Sequence, residues 1–97
     1  MRLQIRPSAL ADLAKGRRFY DSQELGIGYY FFDSLFADID SLQLYSGIHP
    51  KVMGYFRMLA KRFPYAIYYE VVEDVIIVSR TLDLRQNPKS IKEQLKQ

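Results

Sequence analysis

Cysteine is absent from this 97-residue chain, and histidine occurs once, at position 49. Without a thiol there is no disulfide framework, no thiolate zinc site and no cysteine nucleophile. A single histidine excludes a histidine-rich metal centre and argues against a Ser–His triad. His49 stands beside Pro50 in a loop signal, where an exposed side chain without a task is the expectation. Long apolar runs are missing too. Nothing approaches the roughly 18–20 residues needed to span a membrane. The opening Met1-Arg2-Leu3-Gln4-Ile5-Arg6 has no apolar core of a secretory signal. A soluble cytoplasmic protein with no membrane partner is the expectation.

What is present is an ordinary globular balance, 48% hydrophobic and 26% charged, which excludes disorder for most of the chain. The length suits one domain over residues 1–97. A domain of this size buries only about two-thirds of its unfolded surface and has little stability to spare. Fourteen basic against eleven acidic residues give a net charge of +3. Residues 1–50 hold five Lys/Arg and six Asp/Glu, whereas residues 51–97 hold nine and five. The positive excess therefore belongs to the second half, where it suits an acidic or phosphate-bearing partner or simply solubility.

The order of elements can be read from the hydrophobic period. Leu3 and Ile5 alternate with Arg2, Gln4 and Arg6, as in a short half-buried strand. Pro7 ends it, and Ser8 is placed to cap a first helix whose face is Leu10, Leu13, Ala14 and Arg17, running to about Asp21. Asp21-Ser22-Gln23-Glu24 reads as a capping box for a second helix, weakened by Gly26 and Gly28. Its core stripe is Phe32, Leu35, Phe36, Ile39 and Leu42, with Asp33, Asp38 and Asp40 opposite. So short a junction makes the two helices an antiparallel hairpin.

Beyond the loop at 46–50 the period changes to two. Residues 52–60 are a candidate strand, Tyr65–Val72 a strong one, and Val75–Leu82 the next, with Glu73-Asp74 between them. Glu-Asp is not the preferred hairpin chemistry, so a longer loop is expected there. Ser90–Leu95 suits a short basic helix. The fold class is α+β, in the order β-α-α-β-β-β. An antiparallel helix hairpin packs on one face of a small, mostly antiparallel sheet, and a short C-terminal helix completes the chain.

With Val72 opposite Val75, one face carries Ile67, Tyr69 and Val71 against Arg80, Val78 and Ile76 and should meet the helices. Arg80 breaks that apolar face and needs a partner or an exit to solvent. The other face carries Ala66, Tyr68 and Glu70 against Thr81, Ser79 and Ile77. If Phe56 and Met58 point to the core, Tyr55, Arg57, Leu59 and Lys61 point outward. Arginine, lysine and tyrosine then interleave in a groove that suits phosphate, stacked bases or an acidic protein segment; an ordinary solvated sheet face is the plain alternative. Asp38 and Asp40 are not a catalytic pair, because i, i+2 side chains diverge on a helix. Gly26 and Gly28 are not a phosphate loop, since no strand precedes them.

The chain resembles the RelE/ParE superfamily, the toxins of bacterial type II toxin–antitoxin, plasmid-stabilisation-like pairs. The resemblance is carried by Ser8-Ala9-Leu10-Ala11-Asp12-Leu13, by Arg57, by Arg62-Phe63-Pro64-Tyr65-Ala66-Ile67-Tyr68-Tyr69 and by Leu82-Asp83-Leu84-Arg85-Gln86-Asn87-Pro88. It covers essentially the whole chain. It implies no cofactor or metal, an antitoxin partner with an acidic segment, and room for a homodimer of the free protein. RelE-like relatives cleave mRNA on the ribosome, using cations around the phosphate and often a C-terminal tyrosine; ParE-like relatives act on DNA gyrase without a nuclease site. Here the nuclease's central-strand arginine is replaced by Ala66, and no tyrosine occurs after Tyr69. The position of a ParE-like histidine holds Asp83, and the second of its paired arginines is Gln86. Arg57 and Arg85 survive best and are the candidates for any catalytic role, though a nuclease built on them has no obvious base. The resemblance therefore implies a non-enzymatic, ParE-like toxin. The target or antitoxin surface is expected to use Arg57, Lys61, Arg62, Tyr65, Tyr68, Arg80 and Arg85. The alternatives are a ribosome-dependent mRNA interferase with a reduced site and, third, an RNA-binding module, suggested by strands leading into a helix that bears Lys89, Lys92 and Lys96.

Overall fold

A parallel first strand lies beside the last one. In the computed structural model, which describes residues 1–97, the elements run β1 (Arg2–Ile5), α1 (Pro7–Gln23), α2 (Ile27–Tyr45), β2 (Lys51–Val52), β3 (Tyr55–Leu59), β4 (Tyr65–Val72), β5 (Val75–Asp83) and α3 (Pro88–Leu95). The sheet order is β1-β5-β4-β3-β2, with β1–β5 parallel and the other pairs antiparallel. The α1–α2 hairpin covers one face and α3 part of the other. This is the expected α+β class, with one strand more than expected. Residues 52–60 do not form one strand: Met53 and Gly54 take φ of 53° and 85°, making a two-residue hairpin turn between β2 and β3. Glu73-Asp74 is also a two-residue turn, shorter than expected, because Glu73 accepts a φ of 55° without being glycine.

Local helix signals are displaced by one or two residues. Proline begins α1, whose N-cap Arg6 makes no side-chain capping bond. Ser8 is not the cap; its hydroxyl donates to the Ser79 carbonyl at 2.7 Å. The buried face of α1 is Ala9, Leu13 and Gly16, leaving Leu10 exposed. Asp21–Gln23 remain inside α1, so the capping box does not form. Gly26, at φ 92°, starts α2 instead, and the Asp21 carboxylate accepts the Gly28 N–H at 2.8 Å. In α2 the buried stripe is centred on Phe31, Leu35, Ile39 and Leu42; Phe32 and Phe36 flank it.

Two tertiary features set the site. First, β5 carries a bulge: Tyr68 pairs with Arg80 but Tyr69 pairs with Val78, leaving Ser79 unopposed. The extra residue reverses the sidedness of Arg80, Thr81 and Leu82. Thr81 pairs with Ile67 on the α1–α2 face, while Arg80 and Leu82 pair with Tyr68 and Ala66 on the other. Arg80 therefore does not break the main core. Second, the face expected to be free of helix is capped by α3, whose Leu95 joins Ala66, Tyr68 and Leu82 in a second small core. Asn87 caps this helix by accepting the Lys89 N–H at 2.8 Å.

Candidate functional site

The five candidate cations fall into two kinds. Arg80 and Arg85 are engaged by carboxylates of the same chain. The bulge delivers Arg80 to the edge of β5 beyond the reach of β1, between α1 and α3. Its Nε and Nη2 donate to the two carboxylate oxygens of Asp12 at 2.8 and 2.9 Å, and its Nη1 donates to the Gln94 carbonyl at 2.8 Å. Only 13% of the Arg80 and 12% of the Asp12 side chain remain exposed. Asp12 also accepts the Thr81 N–H at 3.0 Å, closing an edge that no strand covers. The hydrogen bonds that Arg80 donates to Asp12 outweigh burial and hold the Arg80 pKa above its ordinary value. Every part of this arrangement ties α1, β5 and α3 together.

Arg85, just past β5, folds back on Asp83. Its Nε and Nη2 donate to that carboxylate at 3.0 and 2.9 Å, and Nη2 also reaches the Tyr20 hydroxyl at 3.2 Å. The guanidinium lies against the rings of Phe19 and Tyr20. Burial opposes the charge on Asp83, but the Arg85 hydrogen bonds win and keep its pKa below the usual carboxylate value. Half of the Arg85 side chain is still exposed, so it remains open to a partner.

Arg57, Lys61 and Arg62 are the second kind: none of them pairs with a carboxylate of the chain. Arg57 lies on β3 opposite Tyr68, on the α3 side, and its Nε is buried without a partner. Lys61 and Arg62 come next, in the β3–β4 loop. The Lys61 backbone N–H is capped by the Asp38 carboxylate at 3.1 Å, past the end of the short β2. That explains why Asp38, placed on the polar face by its spacing, is in fact 5% exposed. Lys61 lines a cavity of about 440 Å³ with Asp38, His49 and Leu59.

The two tyrosines are not exposed stacking platforms. Tyr68 is 1% exposed beneath α3, and Tyr65 is 6% exposed on the opposite face. Burial pushes the Tyr68 phenol up, with the Arg57 charge opposing, and burial assisted by Asp83 raises Tyr65 to about 12. Both therefore keep their protons at neutral pH and are poor bases. No group of three His, Cys, Asp or Glu side chains converges for a metal, and no helix is long and apolar enough to cross a membrane.

No family model and no curated protein matches the chain. Among solved structures, a chain described as "Chromosomal ParDE TA system from P. aeruginosa" matches with a TM-score of 0.79, covering 88% of this chain and 97% of that one. The two share a fold. Their identity is 19%, so the likeness is one of backbone fold.

Sequence reasoning missed His49. It is half-buried, and its Nδ1 is hydrogen-bonded to the hydroxyl of the fully buried Tyr69. That hydroxyl accepts the Gly47 N–H at 2.9 Å, which leaves its own proton for a neutral imidazole. The pair pins the α2–β2 loop to the core. Burial lowers the His49 pKa below 6.5, so the unfolded chain binds the proton more tightly. This contribution to stability is complete above about pH 6.5 and is lost as pH falls below it. Urea midpoints should therefore decline on that side, and His49→Asn should shallow the decline. An unchanged pH slope in the variant would refute the assignment.

Proposed function

We propose that this chain is the toxin of a type II toxin–antitoxin pair. It works in the cytoplasm by docking, without cutting nucleic acid, on a cellular target such as DNA gyrase, and an antitoxin with an acidic segment restrains it. The carrying observation is the fold shared over 88% of the chain with a ParDE system. Docking is supported by Arg57, Lys61 and Arg62, whose charges are paired with no carboxylate of the chain. The buried Arg57 Nε in particular would gain its missing hydrogen bond from an anionic partner. Against cleavage stands the absence of a base. The nuclease arginine position is Ala66, wholly buried at the α3 interface, and the nearby phenols are raised.

Expression without an antitoxin should arrest bacterial growth, and the purified protein should inhibit supercoiling by gyrase. Arg57→Ala should raise the inhibitory concentration about tenfold or more while leaving the fold intact, as for a desolvated arginine anchor. Arg85→Ala should act in the same direction. New mRNA ends on translating ribosomes, with supercoiling untouched, would replace docking by an mRNA interferase. Normal growth at high expression would remove the toxin reading altogether.

A further inference from the structure

A second cleft, of about 190 Å³, opens between α1, the end of β5 and α3. We propose that it is a binding site for a single carboxylate, contributed by a small organic acid or by an acidic residue of a peptide, and that Lys15, the Tyr65 hydroxyl and the Asp83 N–H hold it. The inference stands whether or not the chain is a toxin.

The cleft's donors and acceptors are unevenly engaged. Each carboxylate and side-chain amide oxygen around it already accepts a hydrogen bond. Both Asp12 oxygens accept from Arg80, and both Asp83 oxygens accept from Arg85. The Gln86 amide oxygen accepts from Gln94 at 2.6 Å, and the Gln94 amide oxygen accepts from Arg80. The side-chain groups left over are donors. Tyr65 is 94% buried by its 6% exposure, lines the cleft, and has no hydrogen-bond partner for its hydroxyl. Its raised pKa keeps the proton in place. Lys15 lines the same cleft and forms no ion pair there or elsewhere within 4 Å.

The third donor is a consequence of strand alternation. The Leu84 N–H bonds to the Pro64 carbonyl at 2.8 Å, towards β4. Thr81 and Asp83 therefore turn theirs outward, where Asp12 takes the first and no side chain takes the second. Charge decides what kind of anion fits. Asp12 with Arg80 and Asp83 with Arg85 cancel, and Lys15 leaves one positive charge, which balances a carboxylate and under-compensates a phosphate dianion. The cleft has room for a carboxylate with its methylene groups.

The full chain should be titrated with sodium acetate, with an N-acetylated, C-amidated tetraglutamate peptide and with inorganic phosphate, monitoring backbone amide resonances. Acetate and peptide are expected to shift the Asp83 amide to saturation. Equal affinity per carboxylate assigns a small acid as the source, and tighter peptide binding assigns an acidic segment. Lys15→Met and Tyr65→Phe should each weaken peptide binding about tenfold, typical of a hydrogen bond to a charged group. Lys89→Met, on α3 outside the cleft, should leave it unchanged. Tyr65→Phe should not lower the melting temperature, because the hydroxyl serves no internal contact. No saturable shift at Asp83, phosphate binding tighter than both carboxylates, or a Tyr65→Phe variant that melts early would each overturn the proposal.

Discussion

Asp12→Ala is expected to lower the unfolding free energy by about 3–5 kcal/mol, the range for removing one partner of a buried, bidentate ion pair. The two side chains are 12% and 13% exposed, so solvent screens little of the loss. Three groups lose an acceptor at once: the Arg80 Nε, the Arg80 Nη2 and the Thr81 N–H. The guanidinium cannot shed its proton, and the bulge at Ser79 prevents it from turning to the other face without breaking the β4–β5 register. Its remaining backbone anchor, the Gln94 carbonyl, would then carry α3 with it. Asp12→Asn should recover part of the loss, since its amide oxygen can still accept one of these bonds while the charge is gone. Urea unfolding of the three proteins checks this. A loss below about 1 kcal/mol for Asp12→Ala, the range of an exposed pair, would show that the interaction is screened.

Gly28→Ala is expected to cost about 3 kcal/mol, near the upper range for overpacking. A Cβ at this position would lie 2.4 Å from the Asp21 carboxylate and 2.6 Å from the Arg17 carbonyl oxygen. The first obstacle is a side chain that could turn away at the cost of its bond to the Gly28 N–H. The second is backbone in the middle of α1 and cannot move alone, so α1 and α2 must separate where they cross. Alanine's better helix propensity, up to about 1 kcal/mol, offsets only part of this. The decisive comparison places Gly28→Ala in an Asp21→Ala background. The substitution should still destabilise there, because the Arg17 carbonyl remains. Full rescue by Asp21→Ala would mean that the side chain was the sole obstacle. Circular dichroism melts read both.

Much of the fold was legible because local period and burial agree. The alternation of residues 65–72 and, up to the bulge, of residues 75–78, and the register Val72 opposite Val75, are those observed. Phe56 and Met58 do face the main core, with Tyr55 turned to the second one. The failures share a cause: a residue whose local pattern pointed one way was recruited by a distant group. Asp38 reads as solvent-facing by its spacing, but the uncovered end of β3 needs an acceptor and takes it inside. His49 reads as idle because its partner, Tyr69, is 20 positions away. Arg80 reads as a flaw in the core because strict alternation cannot show a bulge.

The candidate site was legible only as a set of residue types. Arg57, Lys61, Arg62, Arg80 and Arg85 are all basic in the sequence, and nothing local distinguishes them. Their partners do, and the partners lie on other elements: Asp12 is 68 positions from Arg80, and Tyr20 is 65 from Arg85. Sequence alone determined an α+β fold with a helix hairpin, a β-rich second half and the positive excess in that half. Periodicity and composition are local quantities that survive without coordinates. Tertiary structure alone decided which cations are free, which face α3 occupies, and that Tyr65 and Tyr68 are buried. Those outcomes depend on one inserted residue in β5 and on which polar groups meet across the fold.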